Sequence, residues 1–176
     1  MLLIPAGVQR DFAQGEVDFQ MICDRSPCLK KCITLHLQQQ ADYRFDIRFD
    51  GVMPVLTSNK PPPLGSGTEP SPVQLLCVAV GNCLSDLLLF AFRKFKQIPE
   101  PIHCEVQALV GRNEQGRLRV LKMNAKLKLG VPASALEHAQ RALDQFEEFC
   151  TVTQSVGLGI PVHTRVMDVH GVILKD

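Results

Sequence analysis

A long apolar segment in the middle of the chain restricts the possible folds more than any other feature. Residues Ser71–Phe90 read S-P-V-Q-L-L-C-V-A-V-G-N-C-L-S-D-L-L-L-F. Ser71 is suited to cap a helix, Pro72 suits the first helical position, and Gln74 completes a capping box. We therefore predict a helix from Pro72 to about Lys96. Because its first half is apolar on nearly all sides, this helix needs cover over most of its surface.

The remaining elements are shorter and place the chain in the α+β class. Alternating apolar and polar residues predict strands. Apolar residues at steps of three and four form a stripe that predicts a second helix ending at Cys150, namely Leu136, Ala139, Leu143, Phe146 and Cys150. The predicted strands cover residues 33–38, 43–50, 102–111, 117–129, 162–166 and 172–174, the second helix covers 132–150, and residues 54–71 form a long loop. This order predicts antiparallel sheets packed around two long central helices. An intertwined homodimer would supply the cover that one small sheet cannot give the first helix.

Composition argues against several classes of protein. The chain has 176 residues, a length that fits one domain with its own core. A net charge of +1, a single tyrosine and no tryptophan argue against a nucleic-acid-binding protein. Polar residues interrupt the apolar segment, which argues against a membrane span, and others follow Met1–Pro5 too closely for a secretory signal. We expect a cytoplasmic protein with no nucleic-acid or membrane partner.

The cysteines are odd in number, seven in all, which fits reduced thiols better than a closed disulfide framework. Cys23, Cys28 and Cys32 follow the spacing C-x4-C-x3-C, unlike the short paired spacings of zinc sites. His36 is the nearest possible fourth ligand. These three cysteines either bind a metal ion or have no ligand. Their spacing favours the absence of a ligand, and we predict that the chain uses neither a metal nor another cofactor.

Cys83 and Cys150 are the strongest candidates for chemistry. Cys83 lies inside the first predicted helix, and Cys150 lies where the second one ends. A cysteine in a buried helix is usually inert packing. One cysteine on each of two helices, in a reducing compartment, favours thiol redox chemistry instead. Both alternatives stay open from the residues alone. We predict that Cys77 and Cys104 contribute only to packing.

The order of these motifs resembles the OsmC/Ohr family of osmotically induced proteins and organic hydroperoxide resistance proteins. Ser71-Pro72 opens a helix that carries G-N-C at Cys83, a hairpin and a second helix follow, and the chain reads C-T-V-T-Q-S-V from Cys150. The resemblance covers about residues 31–176 and implies an OsmC-like domain there, after an N-terminal extension over residues 1–30. It also implies an intertwined homodimer and a role in the oxidative stress response.

The resemblance further implies a thiol-dependent peroxidase mechanism. Cys83 would attack an organic hydroperoxide and become a sulfenic acid. Cys150 would resolve it as a disulfide, and a dithiol reductant would restore both thiols. In the peroxidase branch of the family, an arginine activates the first cysteine and pairs with a glutamate just after the helix-opening proline.

This chain differs from the peroxidase branch at the position of that glutamate, which is Val73. No arginine occurs between Arg48 and Arg93, so Arg44 and Arg48 are the candidate activating cations. Without a cation over Cys83, we expect a thiol pKa near its ordinary value, about 8.5. Two functional hypotheses follow. One is a peroxidase that acts on organic hydroperoxides; the other is a non-peroxidase binding or structural dimer that lacks the activating arginine–glutamate pair.

Overall fold

The structure is a computed structural model that describes residues 33–49 and 51–176. The elements are strands β1 (Leu35–Ala41), β2 (Arg44–Phe49) and β3 (Leu56–Ser58), helix α1 (Pro72–Lys94), strands β4 (His103–Arg112) and β5 (Leu118–Lys128), helices α2 (Ala139–Gln145) and α3 (Thr151–Val156), and strands β6 (Val162–Met167) and β7 (Ile173–Lys175). Short 3₁₀ helices cover Ala133–Ala135 and Phe146–Phe149. These elements confirm the α+β class.

Helix α1 begins where the sequence predicts. The backbone N–H of Gln74 donates to Ser71 Oγ at 3.4 Å, and the N–H of Ser71 donates to Gln74 Oε1 at 2.8 Å. This capping box satisfies two backbone N–H groups at the start of the helix. The helix ends at Lys94, two residues before the predicted end, and Lys96 has a φ of 59°, which a continuing helix excludes.

The strands form two sheets within the described residues. β1, β2 and β3 form a three-stranded antiparallel sheet, and β4 to β7 form a four-stranded sheet in sequence order. β6 runs parallel to β5, whereas the other neighbours in this sheet are antiparallel. The four-stranded sheet is therefore mixed, where the sequence predicts antiparallel sheets. The reason is that the helical connection after β5 returns the chain to the same end of the sheet.

The second predicted helix is interrupted. Residues 132–150 contain two 3₁₀ helices and α2, and α3 begins only after Cys150. Leu136 and Cys150 have extended backbone angles, which end the helical turns before them. The predicted apolar stripe nevertheless holds, because Leu143, Phe146 and Cys150 are all buried. The spacing of apolar residues thus predicts the face that packs but not the continuity of the helix.

The core lies between α1 and the four-stranded sheet. One stripe of α1 supplies side chains with no exposed surface, namely Val80, Leu84, Leu88 and Phe92. These pack with the buried side of β5, which includes Met123 and Leu127, and with Phe146. Side chains at every fourth helical position and every second strand position meet here, as expected for a helix on a sheet.

A second side of α1 is apolar but exposed in the single chain. Val78 is 64% exposed and Phe90 is 66% exposed. By length and composition α1 could cross a membrane, a weak indication because the core helix of a soluble protein meets the same criteria. Asn82 and Asp86 interrupt this exposed side, which suits a protein contact better than a lipid contact. The single chain therefore covers only part of the helix that the sequence predicts to need cover.

Candidate redox site

Cys83 lies about three turns into α1 and faces an open cleft. The side chain is half-buried, and the cleft has a volume of about 520 Å³. Val78, Leu87 and Phe149 give the cleft an apolar wall. Asp86 is the single charged residue among the described residues that line it. In the single chain, the Cys83 thiol therefore lies at an open and largely apolar cleft.

Cys150 lies at the start of α3 and contacts Cys83. Its side chain has no exposed surface, and its Sγ atom lies 2.8 Å from Cys83 Sγ. This separation exceeds the roughly 2.05 Å of a disulfide bond, and both cysteines are free thiols. The two residues are 67 positions apart in the chain, and they meet because the segment around α3 packs against α1. The structure thus brings together the two cysteines that the sequence singles out.

Thr153 contacts the same Cys150 sulfur. Thr153 Oγ1 lies 2.9 Å from Cys150 Sγ, and the backbone N–H of Thr153 donates to that sulfur at 3.4 Å. Cys150 is the N-cap residue of α3, so its sulfur replaces the oxygen that usually accepts this N–H. Sequence reasoning missed Thr153. The sequence pattern that could indicate Thr153 is a hydroxyl residue three positions after a cysteine at the start of a helix.

Burial raises the pKa of the Cys83 thiol above its ordinary value, and the hydrogen bond with Cys150 raises the pKa further. A hydrogen bond from the backbone of Val152 acts in the opposite direction, and the negative charge of Asp86 adds a lesser increase. No arginine or lysine of the described residues is among the groups that shift this pKa. The thiol pKa therefore lies above the near-ordinary value expected from the sequence, because burial is a property of the tertiary structure.

The two candidate arginines lie on β2. Arg44 Nε is 3.0 Å from Glu69 Oε1, just before α1 begins. Glu69 also accepts hydrogen bonds from Thr68 and Asn59, which, more than Arg44, hold the pKa of Glu69 below its ordinary value. Among the contacts within the described part of one chain, neither Arg44 nor Arg48 reaches Cys83. An arginine–glutamate pair therefore exists, but its acid precedes the helix-opening proline.

Within the described residues, Cys77 and Cys104 take no part in this pair. The N-terminal group, Cys23, Cys28 and Cys32, lies outside the described residues. His36 is exposed on β1, and the described residues contain no cluster of three or more metal-ligating side chains. Cys77 packs against the core as expected. Cys104 is exposed, contrary to the packing role expected for it, because its side chain lies at the open rim of the contact between α1 and β4, beside Ser85.

Comparison with known proteins gives a consistent result. The family described as OsmC-like protein matches residues 65–165 of this chain. No curated protein matches it. An OsmC-like protein of unknown function from Vibrio cholerae has a TM-score of 0.67 at 15% identity, over 78% of this chain and 100% of the other. An organic hydroperoxide resistance protein from Elizabethkingia anophelis has a TM-score of 0.63 at 15% identity, over 80% and 99%.

A third similar structure is an organic hydroperoxide resistance protein from Bacillus subtilis. Its TM-score is 0.61 at 15% identity, over 77% of this chain and 98% of the other. At these identities the likeness establishes the fold. Because the family match spans more than half of the sequence, including α1, the hairpin and both cysteines, this chain belongs to the family of OsmC-like proteins.

Proposed function

We propose that this protein is a thiol redox protein that reduces organic hydroperoxides through Cys83 and Cys150. The observation that carries the proposal is the 2.8 Å contact between the two sulfurs, of which Cys83 lines the cleft while Cys150 is fully buried. Two similar structures are named organic hydroperoxide resistance proteins, which supports the substrate class. The odd number of cysteines suits reduced thiols in the cytoplasm, where dithiol reductants are present.

The proposed reaction has three steps. The Cys83 sulfur attacks one peroxide oxygen, the O–O bond breaks, and an alcohol leaves while Cys83 becomes a sulfenic acid. Cys150 then attacks the Cys83 sulfur, which forms the disulfide and releases water. A dithiol reductant finally attacks the disulfide, and exchange returns both cysteines to thiols while the reductant becomes oxidised. Because Cys150 has no access to solvent, it is suited to the second step rather than the first.

A second candidate function is a binding or structural dimer without peroxidase activity. It is favoured by the raised pKa of Cys83 and by the absence of a cation, within the described part of one chain, among the groups that shift this pKa. In a homodimer, Arg44 or Arg48 could instead reach Cys83 from a second chain. Hydroperoxide turnover with a dithiol reductant separates the two functions.

The experiment that tests the proposed function is a peptide map before and after oxidation. Fully reduced protein is treated with a stoichiometric amount of cumene hydroperoxide, alkylated and digested. We expect the peptides of Cys83 and Cys150 to become linked by a disulfide, while Cys104 stays open to alkylation. Recovery of both cysteines as alkylated thiols, with the peroxide unconsumed, would contradict the proposal.

We also propose that the protein is a homodimer that covers the exposed side of α1. The exposed Val78 and Phe90 support this assembly, as does β1, which is exposed along its whole length. Obligate dimers bury more than about 2,000 Å² of apolar-rich surface. Such a dimer would complete the cover that the apolar helix needs.

The dimer can be tested by sedimentation at low micromolar concentration. Wild-type protein is expected at about twice the chain mass of 19.5 kDa. Phe90→Glu is expected to shift the protein to monomer, because it places a charge in the apolar contact. Leu158→Glu serves as the control, since Leu158 is 92% exposed and lies outside α1. A stable wild-type monomer would refute the assembly.

A further inference from the structure

We infer that Thr153 is a positioning residue for Cys150 and that it controls how fast the Cys83–Cys150 disulfide forms. The inference rests on the proposed function, because it concerns the step in which Cys150 attacks oxidised Cys83. Its basis is the position of the Cys150 sulfur, which lies 2.8 Å from Cys83 Sγ and 2.9 Å from Thr153 Oγ1. The Cys150 sulfur therefore lies between the Cys83 sulfur, which it attacks, and the Thr153 hydroxyl, which can accept a hydrogen bond from its S–H group.

The single proton of the Cys150 thiol can point to only one of these neighbours. An oxygen is a better acceptor than a sulfur, so Thr153 Oγ1 competes well for the S–H group. When the S–H group points to Thr153, a lone pair of the Cys150 sulfur is free to face Cys83. Attack on the Cys83 sulfur needs that lone pair. Thr153 therefore favours the orientation in which Cys150 can react.

Thr153 also stabilises the Cys150 sulfur after it loses its proton. The side chain of Cys150 has no exposed surface, so water does not solvate a thiolate there, and a buried charge without hydrogen bonds is costly. The backbone N–H of Thr153 already donates to this sulfur, and its hydroxyl can rotate to donate as well. Thr153 is only 7% exposed, and among the described residues Cys150 is the one hydrogen-bonding partner of its hydroxyl.

The step that Thr153 promotes is balanced in atoms and electrons. The hydroperoxide has already oxidised Cys83 to the sulfenic acid. The Cys150 sulfur forms the S–S bond and loses its proton, the S–O bond of the sulfenic acid breaks, and the leaving hydroxide takes up that proton and departs as water. Thr153 acts only through Cys150, so the first oxidation of Cys83 should not depend on it.

The experiment compares two substitutions of similar size. Thr153→Val removes the hydroxyl and keeps the branched shape, whereas Thr153→Ser keeps the hydroxyl. Reduced protein is mixed rapidly with a stoichiometric amount of cumene hydroperoxide, and the sulfenic acid is trapped with dimedone at successive times. We expect Thr153→Val to form the disulfide about tenfold more slowly, as loss of a hydrogen bond to a charged group predicts. It should also accumulate labelled Cys83, while Thr153→Ser stays close to wild type.

The outcomes separate this inference from the proposed function. Equal rates of disulfide formation in wild type and Thr153→Val would overturn the role of Thr153 and leave the proposed function intact. Wild-type protein that yields neither a disulfide nor a dimedone adduct would contradict the proposed function itself. Thr153→Ala replaces the valine variant if circular dichroism shows that the latter is unfolded. An unchanged rate of Cys83 oxidation in the variants is expected, and a parallel loss in that rate would indicate a general structural role instead.

Discussion

Replacement of Cys83 by serine is expected to abolish the dithiol-dependent reduction of cumene hydroperoxide, with turnover at least about a hundredfold lower. A serine hydroxyl is a far weaker nucleophile than a thiolate and forms no sulfenic acid. Cys83 lines the cleft, whereas Cys150 is fully buried. Cys150 therefore cannot replace Cys83 in the attack on the hydroperoxide. The measurement is peroxide consumption in the presence of dithiothreitol.

Two further serine variants make this result specific. Cys150→Ser should still react with one equivalent of peroxide but should stop at the sulfenic acid of Cys83, because no other thiol of the described residues lies next to it. Cys104→Ser is the control, since this thiol is exposed on β4 and does not contact the pair. Turnover retained in Cys83→Ser, or lost equally in Cys104→Ser, would rule out the proposed assignment of the cysteines.

The alkylation rate of Cys83 is expected to increase about tenfold for each pH unit between pH 6 and pH 8, which amounts to about a hundredfold over the range. Burial and the contact with Cys150 raise the pKa of Cys83, so the neutral thiol is the favoured form throughout this range. Below its pKa, the thiolate fraction of a thiol grows in proportion to the hydroxide concentration. Labelling with iodoacetamide at each pH, followed by mass spectrometry of the Cys83 peptide, gives the rate.

A plateau of this rate below about pH 7 would contradict the raised pKa, because the thiol would then already be ionised. The cation responsible would have to come from outside the contacts of a single chain, and Arg44 and Arg48 would be the first candidates. Arg44→Gln and Arg48→Gln, tested separately, would show which of them shifts the plateau back to higher pH. Only one of the two, Arg44, has an acidic partner in the described contacts, Glu69.

Local patterns explain why much of the fold was predictable. The capping box at Ser71 and Gln74 depends on residues three positions apart, and the hairpin between β4 and β5 depends on a short turn in which Gly116 has a φ of 72°. Interactions over such distances are visible in the sequence itself. β3 was missed because Leu56–Ser58 is too short to show a period, and it forms a strand only through its pairing with β2.

The sequence alone determined the start of α1, the hairpin and the apolar stripe of residues 132–150. It also identified Cys83 and Cys150 as the candidates for redox chemistry. The tertiary structure alone decided that these sulfurs lie 2.8 Å apart, that Thr153 contacts one of them, and that β6 runs parallel to β5. The physical reason is distance along the chain. Local backbone preferences act between near neighbours, whereas contacts, burial and the pKa shifts that follow from them arise only when remote segments pack together.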